Sequence, residues 1–144
     1  MQHILVLCIG NICRSPMGEA MLRAALPGKT VRSAGLGALI GKPADPLSVQ
    51  LMAEQGVDIT EHRAQQISPV LVAQADLILV MDLEQKRHVE THYMGARGKV
   101  FRLGEAAKAD IPDPYREGID SFRIVHRMID EGAEFWAAQI LRMN

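Results

Sequence analysis

A chain of 144 residues, 48% hydrophobic and 23% charged, has material for one domain with a real core. Its formal net charge of −1 gives no electrostatic case for nucleic acid or an anionic membrane surface as partner. No apolar run reaches membrane-spanning length, and the N-terminal "MQHILVLCIGN" lacks the basic start and the apolar length of a secretory signal.

Residues 3–7, "HILVL", form a leucine and β-branched run of the kind found in a buried strand. The segment "PMGEAMLRAAL" at 16–26 has helical spacing, with Met17, Met21, Leu22 and Ala25 near one face. Pro16 suits a first helical turn, where its missing N–H would be unpaired anyway. A second strand is expected at 31–35, "VRSAG", followed by the Gly/Pro-rich loop "GLGALIGKPADP" with Leu36, Leu39 and Ile40. A helix over 46–56 ends at Gly56. A shorter one starts after Ser68, a suitable N-cap. "DLILVMD" at 76–82 reads as a buried strand, "LEQKRHVETHY" at 83–93 as a charged surface helix, and "KVFRL" at 99–103 as a fourth strand. Residues 107–118, "AKADIPDPYREG", make a proline-punctuated loop, and a long amphipathic helix over 119–143 closes the chain. Alternation of strand and helix predicts an α/β fold: one domain over 1–144, with a four-stranded parallel twisted sheet and helices on both faces. Ligands of such sheets bind at the carboxyl ends of the strands, where Cys8 falls.

The stretch after the first strand is "CIGNICRSP". Gly10 and Asn11 are the residue types most able to take positive φ. They let the loop of Ile9, Gly10, Asn11, Ile12 and Cys13 curl until its N–H groups converge on an anion. The helix after Ser15 adds the partial positive charge of its N-terminus. Arg14 supplies a planar fork matched to two phosphate oxygens. Cys8, at the bottom of this cradle, sits in a setting that favours thiolate. A lone cysteine after a strand is ordinarily a small buried hydrophobe, but these neighbours at these offsets make it a nucleophile for phosphorus. The leaving oxygen then needs a general acid. Asp113, held between Pro112 and Pro114, meets that need, although Asp-Pro alone is an ordinary turn starter. Ser15 is placed to donate a hydrogen bond to the Cys8 sulfur. The only cysteines, Cys8 and Cys13, lie in one loop and cannot staple a secreted scaffold, so reduced thiols in the cytoplasm are expected. Cys13 either packs or traps oxidised Cys8 as a reversible disulfide. His3, His88, His92 and His126 show no spacing that suggests a metal site. No metal or organic cofactor is expected. Tyr93 and Trp136 read as packing residues.

"CIGNICRS" together with the distant "DPY" at 113–115 resembles the low-molecular-weight protein tyrosine phosphatase family, over essentially the whole chain in length and element order. The resemblance implies a phosphotyrosine phosphatase working through a phosphocysteine intermediate. Cys8 would be the nucleophile, Arg14 the phosphate clamp and Asp113 the acid and base. Asn11, Ser33 and His62 would hold the loop's shape, and Leu39, Ile40 and Tyr115 would form the substrate rim. Many family members place an aromatic residue near Leu39 and Ile40; here Tyr115 alone remains as an aromatic wall. The segment "SAGLGALIGKPADP" also looks like that of bacterial members serving exopolysaccharide or capsule export. Their partner is an autophosphorylating tyrosine kinase of the inner membrane. A monomer without membrane insertion is expected. Two related branches offer alternatives. Arsenate reduction needs a further thiol far from the loop, which this chain lacks after Cys13. The phosphoarginine phosphatases carry threonine where this chain has Ile12. A non-catalytic phosphate-binding module is the third alternative, and it would not need the Cys8 thiol.

Overall fold

The computed structural model describes residues 1–143. Strands β1 (His3–Cys8), β2 (Thr30–Gly35), β3 (Leu77–Val80) and β4 (Val100–Arg102) form one sheet in the order β2-β1-β3-β4, with every pairing parallel. Helix α1 (Arg14–Ala25) connects β1 to β2, α2 (Pro46–Glu54) and α3 (Pro69–Gln74) connect β2 to β3, and α4 (Leu83–His92) connects β3 to β4. A 3₁₀ turn at Glu105–Ala107 precedes the last helix, α5 (Ile119–Arg142).

Alternation along the strands divides the core. Ile4, Val6 and Cys8 of β1 and Leu77 and Leu79 of β3 face one way, into a cluster with Met17, Leu22, Met52, Val125 and Ile129. Leu5, Leu7, Ile78 and Val80 face the other way, against Val72, Val89 and Ala96. Both faces are therefore covered by helices, which explains why β1 and β3 are apolar runs rather than alternating ones. Each fully buried aliphatic side chain contributes about 1.5–3 kcal/mol relative to exposure, so this double layer is the main stabilising term.

The chain leaves β1 toward β2 on one side and returns to β3 on the other. Residues following β1 thus enter the crevice where the sheet's winding reverses. Several expectations change. The strand expected over 99–103 covers only Val100–Arg102. The strand predicted over 76–82 covers only Leu77–Val80, because its flanking aspartates serve as caps. Asp76 accepts hydrogen bonds from the N–H groups of Gln2 and His3 at 2.8 and 2.9 Å, and Asp82 accepts from Gln85 N–H at the start of α4. Helix α1 begins at Arg14 rather than after Ser15, which brings its N-terminus closer to the loop. On that helix Leu26, its C-cap, is buried and Ala25 is exposed.

The outer edges of the sheet are closed by side chains. On β4, Lys86 Nζ donates to Val100 O at 3.0 Å and Trp136 Nε1 to Arg102 O at 3.0 Å. On β2, Arg23 donates to Val31 O at 2.8 Å and Gln65 Nε2 to Ser33 O at 2.9 Å.

Candidate active site

The loop after β1 is shaped by its carbonyls. Each C=O from Cys8 to Cys13 accepts a hydrogen bond from outside the loop. Leu36 N–H bonds Cys8 O, Gly37 N–H bonds Ile9 O, Leu39 N–H bonds Gly10 O and Asp45 N–H bonds Ile12 O, at 2.8–3.0 Å. His62 Nε2 lies 2.7 Å from Asn11 O, and Ser48 Oγ donates to Cys13 O at 3.0 Å. A peptide's N–H points opposite to its C=O, so outward carbonyls turn the intervening N–H groups inward. None of the N–H groups of Gly10 to Cys13 donates to a protein group among the described residues. Close packing against the neighbouring loop fixes the arrangement: a Cβ on Gly35 would collide with the Ile9 carbonyl oxygen and Ala38.

Behind the loop lies a side-chain network. Asn11 has φ 61°, a left-handed value that asparagine tolerates better than most residues. Its Nδ2 donates to Ser15 Oγ at 2.7 Å and to Ser33 Oγ at 3.0 Å, and its Oδ1 accepts from Gln65 N–H at 2.9 Å. Ser15 Oγ is 2.9 Å from Cys8 Sγ. Because Ser15 accepts from Asn11, its own proton is free to point at the sulfur. Ser33 passes its proton on in the same way, donating to Glu19 Oε1 at 2.9 Å. Glu19 also receives Arg23 at 3.0 Å, and His62 Nδ1 stands 3.6 Å from it. The ring closes where His62 reaches Asn11 O.

Arg14 is 3% exposed. Its Nη1 donates to Ile111 O at 2.7 Å, which ties the loop to the start of the segment carrying Asp113. Its Nε is buried and has no hydrogen-bond partner among the described residues. A buried guanidinium with no carboxylate ion pair among the described residues, beside inward N–H groups, is an incomplete electrostatic arrangement that an anion completes.

Cys8, Ile9, Gly10, Ile12, Cys13, Arg14, Gly37, Leu39, Asp113 and Tyr115 surround a cleft of about 170 Å³. The structure thus brings the two distant motifs together. Asp113 is exposed at the mouth, where its Oδ1 accepts from Tyr115 N–H at 3.1 Å. Ile40 does not line the cleft; it is 70% exposed on the outer lip. A larger, more open hollow of about 490 Å³ lies on the far side of the network, against Glu19, Ser33 and His62. It contains neither Cys8 nor Arg14, so the smaller cleft holds the chemistry. Both thiols are free and buried. Burial first, then Asp45, pushes the Cys13 thiol well above its ordinary range, with Cys8 and Asp113 adding to the effect.

Sequence reasoning did not find Glu19, Gln65, Ser48 or Ile111 O. Glu19 had a faint signal, since it lies four residues after Ser15 on α1 and so on the same face. The other three are read only from the fold. His88 and His92 stack with ring centroids 4.2 Å apart on the exposed face of α4.

A thiol and a buried guanidinium facing one anion cradle, with a carboxyl across the cleft, define a cysteine-dependent phosphatase. Residues 3–144 match the model of the low molecular weight phosphotyrosine protein phosphatases, and the chain belongs to that family. It is 54% identical over 137 residues to the Ralstonia nicotianae protein named "Probable low molecular weight protein-tyrosine-phosphatase EpsP", covering 95% of this chain and 94% of that one. The fold superposes on Vibrio vulnificus Wzb in complex with benzylphosphonate with a TM-score of 0.92 and 43% identity, covering 96% of this chain and 98% of that one. It also superposes on the YwlE arginine phosphatase from Geobacillus stearothermophilus with a TM-score of 0.92, at 28% identity and 99% and 95% coverage. No helix among the described residues is long and apolar enough to cross a membrane.

Proposed function

We propose that the chain hydrolyses phosphotyrosine in proteins, with Cys8 as nucleophile, Arg14 as phosphate clamp and Asp113 as acid and base. The observation that carries this reading is the convergence of the Cys8 thiol, the unpaired Arg14 Nε and Asp113 on one cleft. In the first step the Cys8 sulfur forms a bond to phosphorus and the P–O bond to tyrosine breaks. Asp113 gives its proton to the departing phenol oxygen. In the second step Asp113 takes a proton from water, the water oxygen bonds phosphorus, and the S–P bond breaks to release phosphate. Ser15 stabilises the leaving sulfur through its hydrogen bond. The inward N–H groups and Arg14 hold the phosphoryl oxygens in both steps.

Similarity to an arginine phosphatase is a reason to test phosphoarginine beside phosphotyrosine. Ile12, where the phosphoarginine enzymes carry threonine, favours phosphotyrosine, as do the relatives named tyrosine phosphatases. The biological substrate we infer is a bacterial tyrosine autokinase of exopolysaccharide export, met in the cytoplasm. Support comes from the relatives named EpsP and Wzb and from the resemblance of the 33–46 segment to that of the exopolysaccharide-associated members.

The deciding experiment measures phosphate release from peptides carrying phosphotyrosine, phosphoserine or phosphoarginine, with EDTA present and Cys8→Ser as control. Release from phosphotyrosine alone, abolished in the variant while ligand binding persists, is expected. Preferred release from phosphoarginine would refute the inference from Ile12. Turnover surviving in Cys8→Ser would refute the thiol mechanism.

A further inference from the structure

The turn after Asp113 contains a residue that the two chemical steps do not use. Glu117 N–H donates to Pro114 O at 2.9 Å, closing a turn whose third residue is Arg116. Arg116 has φ 65°, the left-handed value at which turns favour glycine or asparagine. A long side chain there costs stability, and the arginine is exposed, so core packing does not offset that cost. An outlier of this kind at the edge of a cleft calls for a functional reason.

The side chain supplies one. The guanidinium carbon of Arg116 lies 5.1 Å from the centroid of the Tyr115 ring, and Tyr115 is a wall of the cleft that holds Cys8 and Arg14. Stacking on that ring holds a cation at the mouth, on the Asp113 side. Arg102 and Arg123 are committed to carboxylates; Arg116 makes no such pair among the described residues. The guanidinium over the ring makes no carboxylate pair among the described residues, and its planar fork of N–H donors suits an oxyanion bound through two parallel hydrogen bonds. Of the other exposed groups at the mouth, Ile9 and Leu39 are apolar and cannot select by charge, and Asp113, the proton donor, has the sign that repels an anion; Arg116 is the cation there.

We propose that Arg116 is a specificity-determining residue that receives an oxyanion on a residue flanking the phosphotyrosine. The oxyanion is a carboxylate or a second phosphate. This inference rests on the phosphotyrosine reading above. Substrates would be acidic around the target tyrosine, and the apolar walls would take the phenyl ring itself.

The test compares kcat/KM on phosphotyrosine peptides of equal length with neutral flanks, with aspartate flanks, or with a neighbouring second phosphotyrosine. Wild type is expected to prefer an anionic peptide over the neutral one by about three- to fivefold at low salt. The preference should shrink as salt shortens the screening length. Arg116→Gln should bring the ratio to about one, and Arg116→Lys should keep part of it. Arg116→Gly should lose the ratio yet melt about 2–4 °C higher, because the turn is relieved of its strain. Preference for only one anionic peptide identifies the source of the oxyanion and supports the proposal. An unchanged ratio in Arg116→Gln and Arg116→Gly overturns it. Wild type failing to release phosphate even from the neutral peptide would instead overturn the phosphotyrosine reading, and this inference with it.

Discussion

Replacing Asn11 by alanine tests whether the network behind the loop creates the anion cradle. The Asn11 side chain is fully buried and makes three hydrogen bonds, to Ser15, Ser33 and the Gln65 N–H. Each contributes about 1 kcal/mol net, giving about 3 kcal/mol for the set. Alanine at φ 61° adds about 1 kcal/mol of backbone cost, because it lacks the local bonding that lets asparagine accept that region. A loss of about 4 kcal/mol leaves a domain of ordinary stability folded but weakened. It should lower the melting temperature by roughly 8–16 °C. Asn11→Gly separates the two contributions. It keeps the left-handed backbone and loses only the bonds, so it should be more stable than alanine by about 1 kcal/mol. Both variants should lose about a hundredfold in kcat/KM on p-nitrophenyl phosphate, since a loop displaced by about 1 Å no longer aims its N–H groups. Urea unfolding and steady-state rates measure the two effects. Wild-type unfolding midpoints together with rates within about twofold of wild type would refute the argument.

Asp113→Asn should cost about a hundredfold or more in release from a phosphotyrosine peptide but far less on an aryl phosphate with an activated leaving group. Equal losses on both substrates would rule out proton donation by Asp113. Because burial and Asp45 hold the Cys13 thiol above its usual range, a brief treatment with iodoacetamide at pH 7 should modify Cys8 and spare Cys13; peptide mass spectrometry reads which thiol is labelled. The carboxyl of Asp76 is held below its usual range by the N–H groups of His3 and Gln2. A depressed folded-state pKa stabilises above the unfolded value and loses that contribution as pH falls through the folded one. Stability from this source should therefore decline only below about pH 4, and Asp76→Asn should flatten that part of the acid unfolding curve.

The doubly wound sheet was legible because β1 and β3 are almost pure aliphatic runs, and apolar strands alternating with helices leave few topologies. The anion loop was legible because its roles fall on consecutive residues. Asp113 was reached by chemical need rather than by pattern. What stayed hidden depends on contacts between residues far apart in the chain. Gln65 bonds Asn11, and Arg14 bonds Ile111 O across the crevice; no local spacing encodes either. The ends of β3 were misread for a different reason. Asp76 and Asp82 belong by hydropathy to neither strand nor helix, and only the amides they cap decide where the strand stops. Ile40 looked equivalent to Leu39, but backbone hydrogen bonding aims one residue at the cleft and the next away from it. Leu39 N–H bonds Gly10 O, whereas the turn at Lys42 carries Ile40 outward.

The side-chain donors along β2 and β4 have a consequence for assembly. A sheet margin with free carbonyls invites a foreign strand to dock by main-chain bonding, either from a partner or from a second copy on the way to aggregation. Here Val31, Ser33, Val100 and Arg102 carbonyls already have donors, so an incoming strand must first displace an arginine and a glutamine at β2, or a lysine and an indole at β4. Recognition is thereby steered away from the flanks and toward the loops at the strands' carboxyl ends. Two of the same residues reach the network behind the loop: Arg23 also bonds Glu19 with its guanidinium, and Gln65 bonds Asn11 through its main-chain N–H. The margin that discourages polymerisation and the scaffold that shapes the anion loop are in part the same residues: a substitution at Arg23 will disturb colloidal behaviour and turnover together, whereas one at Gln65 uncovers the Ser33 carbonyl and leaves the main-chain bond to Asn11 in place.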